Sequence, residues 1–150
     1  LGLRGSHQAK IDEKGRLKLP TSFRADIEAI WKTPAVYLTC DDAAGQYVRI
    51  YPMPVWEGIE ERLLKMPSTD PARRKFQRWT SLWGQVDEID GQGRLLIQPQ
   101  LREPAAMQGE VVVLGQTHFL EVWNRERFIN QTEAQRLSDD DYRRLAEFGI

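Results

Sequence analysis

One short element occurs twice. Asp12-Glu13-Lys14-Gly15-Arg16-Leu17-Lys18-Leu19-Pro20 is followed, 78 residues on, by Asp90-Gly91-Gln92-Gly93-Arg94-Leu95-Leu96-Ile97, and such a repeat obliges the fold to contain two like units. In each copy, apolar residues precede the aspartate (Ala9 and Ile11; Val86 and Ile89), a glycine stands just before the arginine, and apolar residues follow it. This pattern predicts a β-hairpin. The glycine supplies the positive φ of a short bulged loop, and an aspartate at the turn entrance accepts hydrogen bonds from turn amides.

The register continues past the hairpins. Phe23-Arg24 falls opposite Leu101-Arg102 at the same offset, Pro20 opposite Gln98 and Thr21 opposite Pro99. Tyr47 to Tyr51 matches Phe119 to Trp123 at an offset of 72, the second half having a smaller loop. Two related halves therefore share one chain.

At 150 residues, 41% hydrophobic and 29% charged, the chain can bury a good core. No apolar run approaches the roughly 20 residues that span a bilayer, and no charged start leads into the apolar stretch of a secretion signal. The single cysteine, Cys40, excludes an intramolecular disulfide and fits a reducing cytoplasm. Net charge is −1, but it is unevenly spread. Residues 1–24 hold six basic and two acidic side chains, a net of +4, while the remaining 126 hold 15 basic and 20 acidic, a net of −5. An electropositive front on an acidic body is an electrostatic footprint.

Between the repeats, Val36 to Cys40 and Tyr47 to Tyr51 read as strands around an Asp41-Asp42-Ala43-Ala44-Gly45 loop, and Pro52 and Pro54 end the sheet. From Val55, Trp56, Ile59, Leu63 and Met66 fall at helical spacing until Pro67. Asp70-Pro71 then opens a second helix whose stripe is Ala72, Phe76, Trp79 and Trp83, with Gly84 placed to close it. After the second pair of strands, Asn124 to Ile129 begins a third helix, and Ser138-Asp139-Asp140-Asp141 begins a last one carrying Tyr142, Leu145, Ala146 and Phe148.

Arg4-Gly5-Ser6-His7, the two Asp-x-x-x-Arg hairpins, Tyr51-Pro52 followed by Trp56, and Arg74-x-x-x-Arg78 before Gly84 together resemble the MraZ family of bacterial transcriptional regulators, over residues 3 to 129. The resemblance implies an α+β fold in which two swapped-hairpin β-barrel half-domains of the SpoVT/AbrB type are fused as an internal pseudo-dimer, with helices between and after them. The expected divisions are 3–54 for the first repeat, 55–84 for the helical pair, 85–129 for the second repeat and 130–150 for a helical tail. It also implies a cytoplasmic, nucleoid-associated homo-oligomer, ring-like in form. Such an assembly binds double-stranded DNA at short direct repeats upstream of the division and cell-wall gene cluster, its own promoter included. Gln98 departs from the proline or small residue often found there in the family.

Taken alone, the residues leave two readings of Lys14, Arg16 and Lys18 open: cations on a β-ribbon that fits the major groove, or a solvated hairpin. The resemblance favours DNA contact, with Arg16 foremost. Arg94 holds the matching position without the cationic company, because Lys14 and Lys18 become Gln92 and Leu96. DNA contact and pairing with an aspartate to fix the turn both stay open for it. Arg4 and Lys10 are read as phosphate contacts flanking the same end. The run Arg73-Arg74-Lys75-x-x-Arg78 reads as a solvated helix face. Glu57, Glu60 and Glu61 read the same way.

Enzyme chemistry finds no support. His7 and His118 lack cysteine or glutamate at metal-ligand spacing. Cys40 stands beside Asp41 and Asp42, which disfavour a thiolate, and neither a nucleophile motif nor a phosphate-cradling glycine loop is present. No cofactor and no small-molecule substrate is expected. The alternative to a DNA-binding regulator is a protein-interaction scaffold of the antitoxin type, which would use the same folded unit without operator recognition.

Overall fold

The computed structural model describes residues 1–40, 46–132 and 135–150. The loop expected between residues 41 and 45 lies outside the described residues.

The first hairpin joins β1 (Ser6–Ile11) to β2 (Arg16–Lys18). Helix α1 (Thr21–Trp31) follows, then β3 (Ala35–Thr39) and β4 (Val48–Pro52). Helices α2 (Met53–Leu64) and α3 (Pro71–Leu82) lead to the second half. That half repeats the order as β5 (Gln85–Glu88), β6 (Arg94–Leu96), α4 (Pro99–Arg102), β7 (Gly109–Gly115) and β8 (Leu120–Asn124). Helices α5 (Arg125–Gln131) and α6 (Asp139–Ala146) complete it.

The strands form one antiparallel sheet in the order β5-β3-β4-β8-β7-β1-β2-β6. Exchanging each strand of one half for its counterpart in the other reproduces every neighbour relation but one: β1 lies on β7 as β5 lies on β3, β4 pairs with β8 and β2 with β6, while the β1–β2 pair has no β5–β6 counterpart. Each hairpin is thus inserted into the opposite half, as expected for a swapped-hairpin pseudo-dimer. The pseudo-twofold runs through the β2–β6 pair, where Leu17 faces Leu95. Leu19 N–H donates to the Gly93 carbonyl at 2.8 Å and Ile97 N–H to the Gly15 carbonyl at 2.9 Å, one bond on either side of that axis.

Strand alternation turns one face of the sheet inward. Leu17, Leu19, Leu95, Ile97, Val111, Val113, Leu38, Ile50, Leu120 and Val122 are all buried there. One seam separates this sheet from a closed barrel: β5 and β6 share no strand ladder. A side chain bridges the gap. Gln85, 6% exposed, donates through Nε2 to the Leu96 carbonyl and accepts the Gln98 N–H at Oε1 over 2.9 Å. A proline at 98 would have no N–H to give to this bridge. The bridge also explains why the inward residue of β5 is a glutamine while Val86 points outward, 71% exposed.

Helices α1 and α4 are additions to the expected set, one inside each half. Proline starts both, Pro20 as the N-cap of α1 and Pro99 in the first turn of α4. Phe23 and Ile27 of α1 and Leu101 of α4 are their buried residues. Of the helices read from periodicity, α2 begins two residues before Val55 and ends short of Pro67. Asp70 caps α3 through Ala72 N–H at 2.8 Å. Gly84 follows α3 because a Cβ there would lie 1.9 Å from Tyr37 Oη and 2.2 Å from the Thr80 carbonyl oxygen. Ser138 and Asp141 form a reciprocal capping box on α6. No helix among the described residues is long and apolar enough to cross a membrane.

Candidate nucleic-acid interface

Both hairpin turns are built identically. Asp12 Oδ1 accepts the N–H groups of Lys14 and Arg16, each at 2.9 Å, and Asp90 Oδ1 accepts those of Gln92 and Arg94 at 2.8 and 2.9 Å. Gly15 and Gly93 take φ of 85° and 79°, the left-handed region the loop requires. These backbone bonds favour the charged form, foremost the N–H of Arg16 for Asp12 and of Arg94 for Asp90, and they hold both carboxyls below the ordinary aspartate range.

The two turns part company at the arginines. Arg16 Nε meets Asp12 Oδ2 at 2.7 Å, with both side chains 40% exposed, so part of its guanidinium faces solvent. Arg94 instead donates to Gln92 Oε1 at 2.7 Å. A direct arginine–carboxylate contact thus forms at Arg16, while Arg94 acts on Asp90 through its backbone N–H and its charge. Even at Arg16, the aspartate is already satisfied by backbone.

Register decides which cations meet. Across β2–β6, Arg16 lies opposite Leu96 and Lys18 opposite Arg94, flanking the buried Leu17–Leu95 pair. Arg16, Lys18, Arg94 and Leu96 therefore share the outer face of one two-stranded ribbon. Lys18 and Arg94 are like charges on directly facing positions, an arrangement that opposes folding of an isolated sheet. Lys18 Nζ reaches the Gln92 carbonyl. Lys14 is exposed at the tip of the first turn, beyond the ribbon itself.

The structure separates the other two expected contacts. Lys10 is exposed on β1 and faces Glu110 of β7, whose carboxylate lies 3.7 Å from Arg125 Nη1. Arg4 does not flank the same end. It precedes β1 beside the Leu3–Thr117 bridge, and the length of β1 puts it roughly 20 Å from the turn. Its Nη1 lies 3.3 Å from the Gly2 carbonyl oxygen.

Two arginines with no role assigned from sequence brace the ribbon. Arg102 Nη1 donates to the Lys14 carbonyl at 3.3 Å and to the Ile97 carbonyl at 3.0 Å, and Arg24 Nη2 donates to the Gly91 carbonyl at 3.2 Å. Each crosses from one half to the turn of the other. The sequence signal was present, since Arg24 and Arg102 keep the 78-residue offset of the hairpins. The α3 cations are also more engaged than a solvated face: Arg73 reaches the Met66 carbonyl, and Arg74 the Ser68 carbonyl at 3.0 Å.

Among the described residues, no group of three or more His, Cys, Asp or Glu is placed to hold a metal ion. His7 packs edge-on against Phe23 at 5.0 Å and lies 3.1 Å from Ser22 Oγ. Cys40 is buried, and its carbonyl accepts the Trp79 indole N–H at 2.9 Å.

Comparison with known proteins places this architecture. The family model described as "MraZ protein, putative antitoxin-like" matches residues 3–79 and 85–148. A protein of Acidobacterium capsulatum named transcriptional regulator MraZ is 40% identical over 147 residues, covering 98% of this chain and 99% of its own. One of Koribacter versatilis with the same name is equally similar over the same spans. A third, from Acidithiobacillus ferrooxidans, is 37% identical over 130 residues, covering 83% of this chain and 84% of its own. With the family model matched across both halves and relatives alike over nearly their whole length, the chain belongs to the MraZ family.

Proposed function

We propose that this protein is a transcriptional regulator, not an enzyme, that binds double-stranded DNA through the outer face of the β2–β6 ribbon. The observation that carries the reading is the facing of Lys18 and Arg94 beside Arg16 on a braced, exposed two-stranded ribbon. Such a ribbon fits the major groove, arginine meets guanine O6 and N7 through two hydrogen bonds, and phosphates relieve the repulsion between facing cations. The names of the relatives support the regulatory role. Arg16 is the principal contact, with Lys18, Arg94 and Lys14 beside it. Lys10 and Arg4 are outlying phosphate contacts.

The finer assignment follows the family resemblance. Residues 3–54 and 85–129 act as the two repeat units, joined by 55–84 and followed by the tail 130–150. Several copies assemble, in a ring-like homo-oligomer, on short direct repeats upstream of the division and cell-wall gene cluster, in the cytoplasm and on the nucleoid. One copy offers few cations and neutralises few phosphates, so it grips weakly. Linked copies meeting linked sites gain from effective concentration.

A second reading, a protein-interaction scaffold of antitoxin type, is favoured by the antitoxin-like description of the family model and by the exposed Tyr142, Phe148 and Ile150 at the C-terminal end. The two part on one experiment, anisotropy titration of duplexes enriched from a random-sequence library. Arg16→Ala should weaken binding roughly tenfold or more, as the loss of a two-bond arginine contact does, while circular dichroism stays that of the parent. Equal affinity of variant and parent would remove Arg16 from the interface. Failure of the parent to enrich any duplex would favour the scaffold.

A further inference from the structure

The corners of the β2–β6 ribbon are not equivalent. The pseudo-twofold relates Arg16 to Arg94, which keeps one diagonal basic, but it relates Lys18 to Leu96, so the other diagonal joins a cation to an apolar side chain. Leu96 is 47% exposed on a face otherwise made of cations. The core does not require it there, because its neighbours Leu95 and Ile97 fill the inward positions. It is also held firmly: Gln85 Nε2 donates to its carbonyl, and its strand faces Arg16 in register.

On the major-groove edge of a base pair, the thymine C5 methyl is the apolar group that side chains read. We infer that Leu96 is a base-reading residue that packs against a thymine methyl in the groove entered by the ribbon, and that it makes the footprint of each protomer directional. This deepens the proposed function and rests on the β2–β6 ribbon being the surface that meets DNA. With Lys18 at one corner and Leu96 at its counterpart, one protomer distinguishes the two orientations of its site. Copies arranged alike along a duplex then require sites that all run the same way.

The test uses the full chain and a duplex enriched by it from a random-sequence library, resynthesised with deoxyuridine in place of each thymidine in turn. Deoxyuridine pairs like thymidine and lacks only the methyl. At one or more positions the parent should bind the deoxyuridine duplex about fourfold more weakly, the worth of one buried methyl group. Leu96→Ala should be indifferent to that exchange. Leu96→Lys restores the corner to the chemistry of Lys18; it too should ignore the methyl, while binding with a steeper salt dependence. Because Leu96 is exposed, both variants should give the dichroism spectrum of the parent. Uniform affinity of the parent for every substituted duplex would overturn the inference and leave the ribbon as the DNA surface. A methyl preference that persists in Leu96→Ala would overturn it equally. Failure of the parent to enrich any duplex would remove both this inference and the proposed function.

Discussion

Asp12 and Asp90 each organise a turn by accepting two backbone N–H groups, and only Asp12 also meets its arginine. Loss of the Arg16 side chain therefore leaves the backbone bonds of the turn in place, so the proposed DNA contact can be tested there apart from folding. The carboxylates themselves are different. Both titrate below their ordinary value of 3.8, so the stability they lend is fully present above that pH and is lost as pH falls through their depressed folded values. Asparagine keeps the Oδ1 acceptor and cannot titrate. The Asp12→Asn, Asp90→Asn double variant should melt below the parent at pH 7 yet lose less melting temperature between pH 5 and pH 2, followed by circular dichroism. Parallel losses in both proteins would deny these aspartates a part in acid stability.

At the scale of the element, the hairpins were legible in the sequence because their chemistry is local: Asp, Gly and Arg stand within five residues of one another and bond mainly among themselves. Helices α1 and α4 were not. Their buried faces amount to Phe23 and Ile27 in one and Leu101 in the other, too few apolar positions to establish a period. The cations expected at the hairpins could be named in advance, but their facing could not, since Lys18 and Arg94 meet only through strand pairing across 76 residues. Arg4 was misplaced for a related reason: closeness in sequence to the hairpin is distance along an extended strand.

The seam between β5 and β6 was hidden as well, a buried glutamine whose partners arrive from a neighbouring strand and the start of α4. It makes a sharp prediction. Gln98 has φ of −68°, which proline accepts, so Gln98→Pro removes the N–H without straining φ. Leaving Gln85 Oε1 without that partner should cost about 1–3 kcal/mol in urea unfolding. Gln98→Ala, which retains the N–H, should stay close to the parent. Equal stability of Gln98→Pro and parent would mean that the side-chain bridge does not hold the seam.

The whole molecule is a dimer made from one chain, and covalent fusion lets its halves diverge. The first hairpin carries Lys14 and Lys18 where the second carries Gln92 and Leu96. The family was legible because two matched hairpins with the helices between them form a long, ordered pattern. The asymmetry of the ribbon emerged only when the fold laid the two copies side by side. A net charge of −1 leaves one copy little positive charge to offer a polyanion, and on the proposed function a modest basic ribbon becomes an effective grip by being multiplied. Anisotropy titrations of the parent protein on duplexes carrying one, two and four copies of an enriched site, in the same orientation and at several salt concentrations, test this most directly. The account predicts that affinity rises by roughly 100-fold or more from one site to four, with a salt slope that steepens with each added site. An increase of only about fourfold, the statistical gain from having four independent sites, with an unchanged slope would contradict it.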